Sequence, residues 1–309
     1  MKLSIVATLY QSAPHIHEFH QRASAVAQEL AGDDYEIVLV NDGSPDNSLD
    51  LAVQLAEDDR HLVVVDLSRN FGHHKAMLTG LSHAKGDQVF LIDSDLEEEP
   101  EWLLEFERQL ERDSCDVVYG VQSKRKGGWF ERISGWFFYK IFNVLTDTKV
   151  PENLVTARLM TRRYLVALLL HEERALSIGG LYVITGFQQS PVTVQKHSRS
   201  ESTYSFGHKM AVMIDSVTSF SNKPLIGIFY IGFVILMVAG VNVVYLVFNW
   251  TLYASVPSGY TSVMASIWLL GGLIIMLIGI VGIYLSKVFT ESKQRPISIV
   301  RQIYSKSDL

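Results

Sequence analysis

The sequence predicts an α/β domain built on a mostly parallel sheet, followed by two transmembrane helices. Two observations carry this. Five short apolar runs, at residues 3–9, 35–40, 62–67, 89–92 and 115–121, alternate with helix-length patterns. Near-continuous apolar strands joined by crossover helices imply parallel strands covered on both faces, because each crossover packs back on the sheet with the same hand. Further along, no Asp, Glu, Lys or Arg occurs from Pro224 to Ser286. Within that stretch, residues 225–248 and 264–285 are each long enough to cross a hydrocarbon core, which takes about 20 helical residues.

The elements follow in order. The run at 3–9 is too short for the apolar core of a cleavable leader, so it is expected to be the first strand rather than a signal peptide. A helix is expected over 14–31. Strand 35–40 leads into Asn41-Asp42-Gly43-Ser44-Pro45-Asp46, turn-forming residues in which Asp46 suits the cap of a helix over 46–58. Strand 62–67 ends at Ser68-Arg69-Asn70, before a helix over 72–84. Strand 89–92 ends in Asp93-Ser94-Asp95. A helix over 100–112 follows, with Pro100 in its first turn, and the charges of Glu98, Glu99 and Glu101 are expected to favour its dipole. Strand 115–121 closes the series.

Residues 127–145 place Trp129, Phe130, Ile133, Trp136, Phe137, Ile141 and Val144 on one helical stripe. This amphipathic helix, about 128–145, suits either a membrane interface or packing against the sheet. The expected division is a domain over 1–222, a membrane hairpin over 223–287 and a tail over 288–309. Lys209 and Lys223 precede the first span, and Lys287, Lys293, Arg295, Arg301 and Lys306 follow the second. The loop 249–263 is uncharged, so both termini are expected on the cytoplasmic side. The single cysteine, Cys115, forms no internal disulfide, which fits a cytosolic domain. A net charge of −6 argues against general nucleic-acid binding.

In open parallel sheets, ligands bind at the carboxyl ends of the strands. Thr8 and Tyr10, Asn41 to Ser44, Ser68 to Asn70, and Asp93 to Asp95 all fall at those ends, which points to a nucleotide pocket. There Asp42 can accept hydrogen bonds from a base N–H or ribose hydroxyls. Two carboxylates about 4 Å apart repel by about 4 kcal/mol at an effective dielectric near 20, so Asp93 and Asp95 imply a cation between them. Their hard oxygen donors suit Mg²⁺ or Mn²⁺, which neutralises substrate phosphates. His15, His17 and His20, at offsets of 2 and 5, do not share a helix face and are not a metal set. His73-His74 at a helix start suits either an approach to the nucleotide or plain solvation.

A basic surplus follows: Lys124-Arg125-Lys126, Arg132, Arg158, Arg162-Arg163, Lys196 and Arg199. Arginine offers a phosphate two parallel hydrogen bonds where lysine offers a point charge, so Arg125, Arg132 and Arg158 are the candidates for a lipid phosphate.

With these residues in hand, the chain resembles the family 2 glycosyltransferases that load a sugar onto a polyprenyl phosphate. That is the group of dolichol-phosphate mannose synthase and of bacterial undecaprenyl-phosphate glucosyltransferases. The resemblance rests on residues 40–46, on Leu67-Ser68-Arg69-Asn70-Phe71-Gly72, on Asp93-Ser94-Asp95-Leu96-Glu97 with Pro100-Glu101, on 120–127, on Arg158-Leu159, and on Ser219-Phe220-Ser221 with Pro224-Leu225. It covers nearly the whole chain.

The resemblance implies a GT-A-like, Rossmann-like domain and inverting, metal-dependent transfer from a nucleotide sugar, a UDP-hexose, to undecaprenyl phosphate. The product would serve cell-surface polysaccharide or O-antigen modification. It implies Asp42 and Arg69 as nucleotide ligands, with Thr8, Tyr10, Asn41, Ser94, Lys196 and Arg199 around them. Asp93, Asp95 and Glu97 would hold Mg²⁺ or Mn²⁺, Asp95 being catalytic, and Arg125, Arg132 and Arg158 would face the acceptor. It further implies a bacterial inner membrane location and a homo-oligomer. Where the family carries Gly-Asp-Phe-Arg-Leu, this chain has Val155-Thr156-Ala157-Arg158-Leu159, so a carboxylate is replaced by Thr156. An anchored nucleotide-binding scaffold without catalysis is the alternative, which Thr156 and Asn41 keep open. A processive polysaccharide synthase would show Gln-x-x-Arg-Trp and more spans, and neither is present.

Overall fold

A computed structural model describes residues 1–122, 151, 153–171, 173, 178–196, 218, 221, 223–253 and 259–306. They fall into two compact units, one built on the sheet and including the C-terminal strand, the other holding two long helices.

In the first unit the expected series is present: β1 (Leu3–Leu9), α1 (Ile16–Ala31), β2 (Tyr35–Asn41), α2 (Ser48–Asp58), β3 (Leu62–Leu67), α3 (His73–His83), β4 (Gln88–Asp93), α4 (Trp102–Asp113) and β5 (Val117–Gln122). Residues beyond 150 supply β6 (Leu154–Thr161), α5 (Arg162–Leu169), α6 (Ile178–Ile184) and β7 (Gln189–Val194). Residues 300–305, in the stretch read as a tail, form β8 (Val300–Ser305).

The sheet has eight strands in the order β7-β5-β6-β4-β1-β2-β3-β8. β4, β1, β2 and β3 run parallel, as do β5 and β7, while β6 and β8 run antiparallel to their neighbours. Every residue of β1 and β2 is buried, as two-sided coverage requires. Leu3, Ile5, Ala7 and Leu9 share a cluster with Phe19 of α1, Ala52 of α2 and Phe106 of α4. α3 packs on β1 and β2 through Gly80, where a Cβ would meet Val6 Cγ1 at 2.5 Å and Val40 Cγ2 at 2.8 Å. Register aligns the strand ends, pairing Thr8 with Asp93, Leu9 with Asn41, and Asn41 with Asp66.

The second unit holds α7 (Lys223–Tyr253) and α8 (Tyr260–Ser292). Among the described residues one stretch, Leu270–Ser292, is long and apolar enough to cross a membrane, with a mean hydropathy of 2.2 and none of that window buried. The first expected span, 225–248, lies in α7, where Lys223–Ile235 is apolar but shorter than a span. Among the described residues one membrane-length apolar stretch is therefore found, where the sequence led us to expect two.

Candidate active site

The site lies at the carboxyl ends of β4, β1 and β2, as expected for a sheet of this kind. Asp93, the last residue of β4, is its centre. Its Oδ2 accepts a hydrogen bond from Thr156 Oγ1 at 2.8 Å and lies 3.8 Å from Lys196 Nζ. His73 Nε2 stands 3.3 Å from Oδ1, an approach that leaves this buried oxygen without a well-aligned hydrogen bond among the described residues. The other ring nitrogen of His73 is 3.1 Å from Thr8 Oγ1, so the imidazole bridges two strand ends. Burial opposes ionisation of Asp93, but His73, Lys196 and Thr156 outweigh it and hold the carboxyl below its ordinary range.

Antiparallel β6 is what brings Thr156 here. Its residue Arg158 pairs with Leu91 of β4, which carries Thr156 to the strand end where Asp93 stands. The same strand fixes Glu98. The expectation that Glu98 serves the dipole of α4 is corrected: the side chain is fully buried and accepts the backbone N–H groups of Thr156 at 3.0 Å and Ala157 at 2.9 Å. Burial and the charge of Asp93 push its carboxyl up to about 7. Glu101 does not serve the dipole alone either, since Arg22 clasps it through Nε at 2.9 Å and Nη2 at 2.6 Å.

Lys196 Nζ stands within 3.4 Å of Glu97 and 3.5 Å of Glu98 as well as near Asp93. Burial works against its charge, yet these carboxylates raise its ammonium above the ordinary value. The basic candidate thus belongs to the acidic cluster. His74, beside His73, is held below its usual range by burial and by that neighbour.

Asp95 accepts the Glu97 N–H at 2.9 Å, and burial raises its carboxyl. Ser94 donates to the Thr8 carbonyl at 2.7 Å and stands 3.0 Å from the Ser12 hydroxyl, stapling β4 to β1. No three His, Cys, Asp or Glu side chains converge into a complete metal cage among the described residues. The donor set still fits a hard divalent cation, because the buried Asp93 Oδ1 is unsatisfied among the described residues and such ions usually complete their shell with water and substrate phosphates.

On β2, Asp42 is buried and accepts the N–H groups of Phe71 at 2.7 Å and Gly72 at 3.0 Å, with burial raising its carboxyl. Asn41 uses both ends of its amide within the fold, donating to Asp66 Oδ1 at 2.8 Å and accepting the Ser44 N–H at 3.2 Å. Gly43 has φ +61°, and a Cβ there would sit 2.5 Å from Asn70 N, so the turn presses directly on the loop that carries Arg69. Arg69 is exposed and stacks on Phe71 at 4.1 Å, and Tyr10 is also exposed at the edge.

Arg158 completes the described site. It is buried, with its guanidinium 3.1 Å from the centre of the Tyr182 ring, and its Nε and Nη1 have no hydrogen-bond partner among the described residues. It lines a cleft of about 410 Å³ together with His73, Glu98, Thr156, Tyr182 and Lys196. Arg125, Arg132, Arg199 and the amphipathic helix lie outside the described residues. His20, set aside as a metal ligand, instead meets Asp59 Oδ2 at 2.9 Å. Sequence reasoning missed the burial of Glu98. The one signal for His73 was its place at the start of the expected helix that follows a strand end.

The chain is similar along its whole length to known glycosyltransferases. A putative glycosyltransferase of Mycobacterium tuberculosis is 49% identical over all of this chain and 90% of its own length. The prophage bactoprenol glucosyl transferase homolog of Escherichia coli is 30% identical over 98% of this chain and 99% of its own. The bactoprenol glucosyl transferase of Shigella phage SfV is 31% identical over 97% and 98%. Residues 4–169 match the model of Glycosyl transferase family 2, and the chain belongs to that family of glycosyltransferases.

Proposed function

We propose that the protein transfers a hexose from a UDP-sugar to a polyprenyl phosphate, undecaprenyl phosphate in a bacterium, with inversion at the anomeric carbon. The product is a lipid-phosphate-linked sugar for cell-surface polysaccharide or O-antigen modification. Arg158 is the observation that carries this reading. A buried guanidinium with two nitrogens unpartnered among the described residues, beside a cleft, is costly to keep unless an anion arrives, and a phosphate matches its fork. The bactoprenol names of two relatives support a polyprenyl acceptor.

In the step, an oxygen of the lipid phosphate attacks the anomeric carbon while the bond from that carbon to the diphosphate oxygen breaks. The nucleoside diphosphate leaves with the electron pair. Arg158, with Arg125 and Arg132, orients the attacking phosphate, and Asp42 and Arg69 hold the nucleotide. A phosphate monoester has its second pKa near about 6, so the nucleophile is already ionised and needs no general base. Thr156 in place of a carboxylate accords with that. Asp93, Asp95 and Glu97 would hold Mg²⁺ or Mn²⁺, which when bound neutralises charge on the departing diphosphate. Positioning and charge stabilisation each contribute several kcal/mol, with no covalent enzyme intermediate.

In this reading α7 and α8 both span the bacterial inner membrane, with the catalytic domain and both termini cytoplasmic. The test incubates the purified full-length protein with Mg²⁺, undecaprenyl phosphate and a panel of radiolabelled nucleotide sugars. Label from a UDP-hexose is expected in the lipid extract. Label that stays in the aqueous phase with every donor would overturn the proposal.

A further inference from the structure

We infer that Arg301, on the C-terminal strand, is a positioning residue for the nucleotide. The inference rests on the nucleotide-sugar reading above. β8 pairs with β3 in a register that shifts at one point: Asp66 faces Gln302, yet Leu67 faces Val300. Arg301 is the extra residue of that bulge. A bulge re-aims the side chain it carries, and such features recur beside active sites.

Here the re-aimed guanidinium reaches the end of β3 and the start of the loop that follows it. Its Nη1 lies 3.2 Å from Asp66 Oδ2, and its Nη2 donates to the Ser68 carbonyl at 2.7 Å. Asp66 is 1% exposed, and among the described residues the ion pair it makes is with Arg301.

From Asp66 the contacts run inward. Its other oxygen holds the Asn41 amide at 2.8 Å, and Asn41 in turn holds the Ser44 N–H at 3.2 Å, which shapes the turn around Asp42. The Ser68 carbonyl opens the loop whose residues Phe71 and Gly72 donate their N–H groups to Asp42. Arg301 therefore clips both sides of the Asp42 cradle from outside it. Two further contacts seat the strand: Ser68 N–H donates to the Ile299 carbonyl at 2.9 Å, and the Thr79 and Ser298 hydroxyls meet at 2.6 Å. A residue that follows the membrane-length helix in sequence thereby becomes part of the nucleotide pocket's support.

The test uses the full-length protein and reads two quantities, UDP binding with Mg²⁺ by calorimetry and steady-state transfer to undecaprenyl phosphate. Arg301→Ala should weaken UDP binding about tenfold, within the range for groups coupled in one ion-pair network. The KM for nucleotide sugar should rise by a similar factor, while kcat and the KM for lipid stay within about twofold. Arg301→Lys, which keeps the charge and the strand, should recover part of the loss. Gln302→Ala, exposed on the same strand, should change neither quantity.

Unchanged UDP binding in Arg301→Ala, or equal damage from Gln302→Ala, would overturn the inference. If Arg301→Ala fails to fold, Arg301→Lys decides, and wild-type UDP affinity in that variant together with a wild-type KM counts against the role. Failure of the transferase reading looks different, because the wild type itself would then move no label while the binding arm still reports on Arg301.

Discussion

The Thr156 hydroxyl donates to Asp93 Oδ2 at 2.8 Å, so a neutral donor stands where the family pattern carries a carboxylate. A carboxylate in that place would face Asp93 and the buried Glu98 at close range, whereas the hydroxyl satisfies an oxygen and helps keep Asp93 ionised. Thr156→Val keeps the volume and removes that bond, at a cost of about 1.5–3 kcal/mol for a hydrogen bond to a charged group. The expected result is a fall in kcat/KM for the nucleotide sugar of at least about tenfold, with the lipid KM little changed. Full activity in this variant would show that Asp93 does not depend on Thr156.

Arg158 separates function from stability. Its buried charge lacks hydrogen-bond partners at two nitrogens among the described residues, so Arg158→Met should leave the melting temperature unchanged or raise it. The same change should raise the KM for undecaprenyl phosphate at least about tenfold, while UDP affinity stays within about twofold. Steady-state kinetics alongside thermal unfolding checks both halves. Equal losses toward both substrates would remove Arg158 from the acceptor side.

Gly43 brings the turn after β2 to contact distance with the loop after β3. Gly43→Ala forces a Cβ into the backbone of Asn70 at 2.5 Å, at a φ of +61°. Destabilisation of about 1–3 kcal/mol is expected, together with weaker UDP binding. Thermal unfolding and calorimetry read the two effects.

Asp46 predicts a pH dependence. Burial would raise its carboxyl, but the Ser44 and Ser48 hydroxyls and the N–H groups of Ser48 and Ala13 carry it down to about 2. A folded-state pKa below the unfolded value of about 3.9 contributes stability that is present above that value and is lost as pH falls toward 2. Asp46→Asn should therefore lower stability at neutral pH by roughly 1–2 kcal/mol. Thermal unfolding should show the gap between wild type and variant narrowing from about pH 5 to about pH 3.

Much of this was legible in the sequence, for physical reasons. Strands β1 to β4 are largely buried on both faces, so each reads as a near-continuous apolar run, and their bounds fall within a residue or two of expectation. Asp42, Asp93 and Asp95 follow from their places at those strand ends. β6 was not legible, because it enters between β4 and β5 from a point later in the chain than both. Its position decides the environments of Thr156, Arg158 and Glu98. Glu98 is read as surface charge when only its neighbours in sequence are considered, and its partners lie 58 and 59 residues away. β8 hid for a related reason: none of its residues is buried, and its pairing with β3 spans most of the chain.

The most direct test of the account is the transfer of labelled hexose from a UDP-sugar to undecaprenyl phosphate by purified wild type and Asp95→Asn, with and without Mg²⁺. The account predicts Mg²⁺-dependent label in the lipid extract for the wild type, and loss of most of that transfer in a variant that still unfolds at the wild-type temperature. Undiminished turnover by folded Asp95→Asn would contradict it.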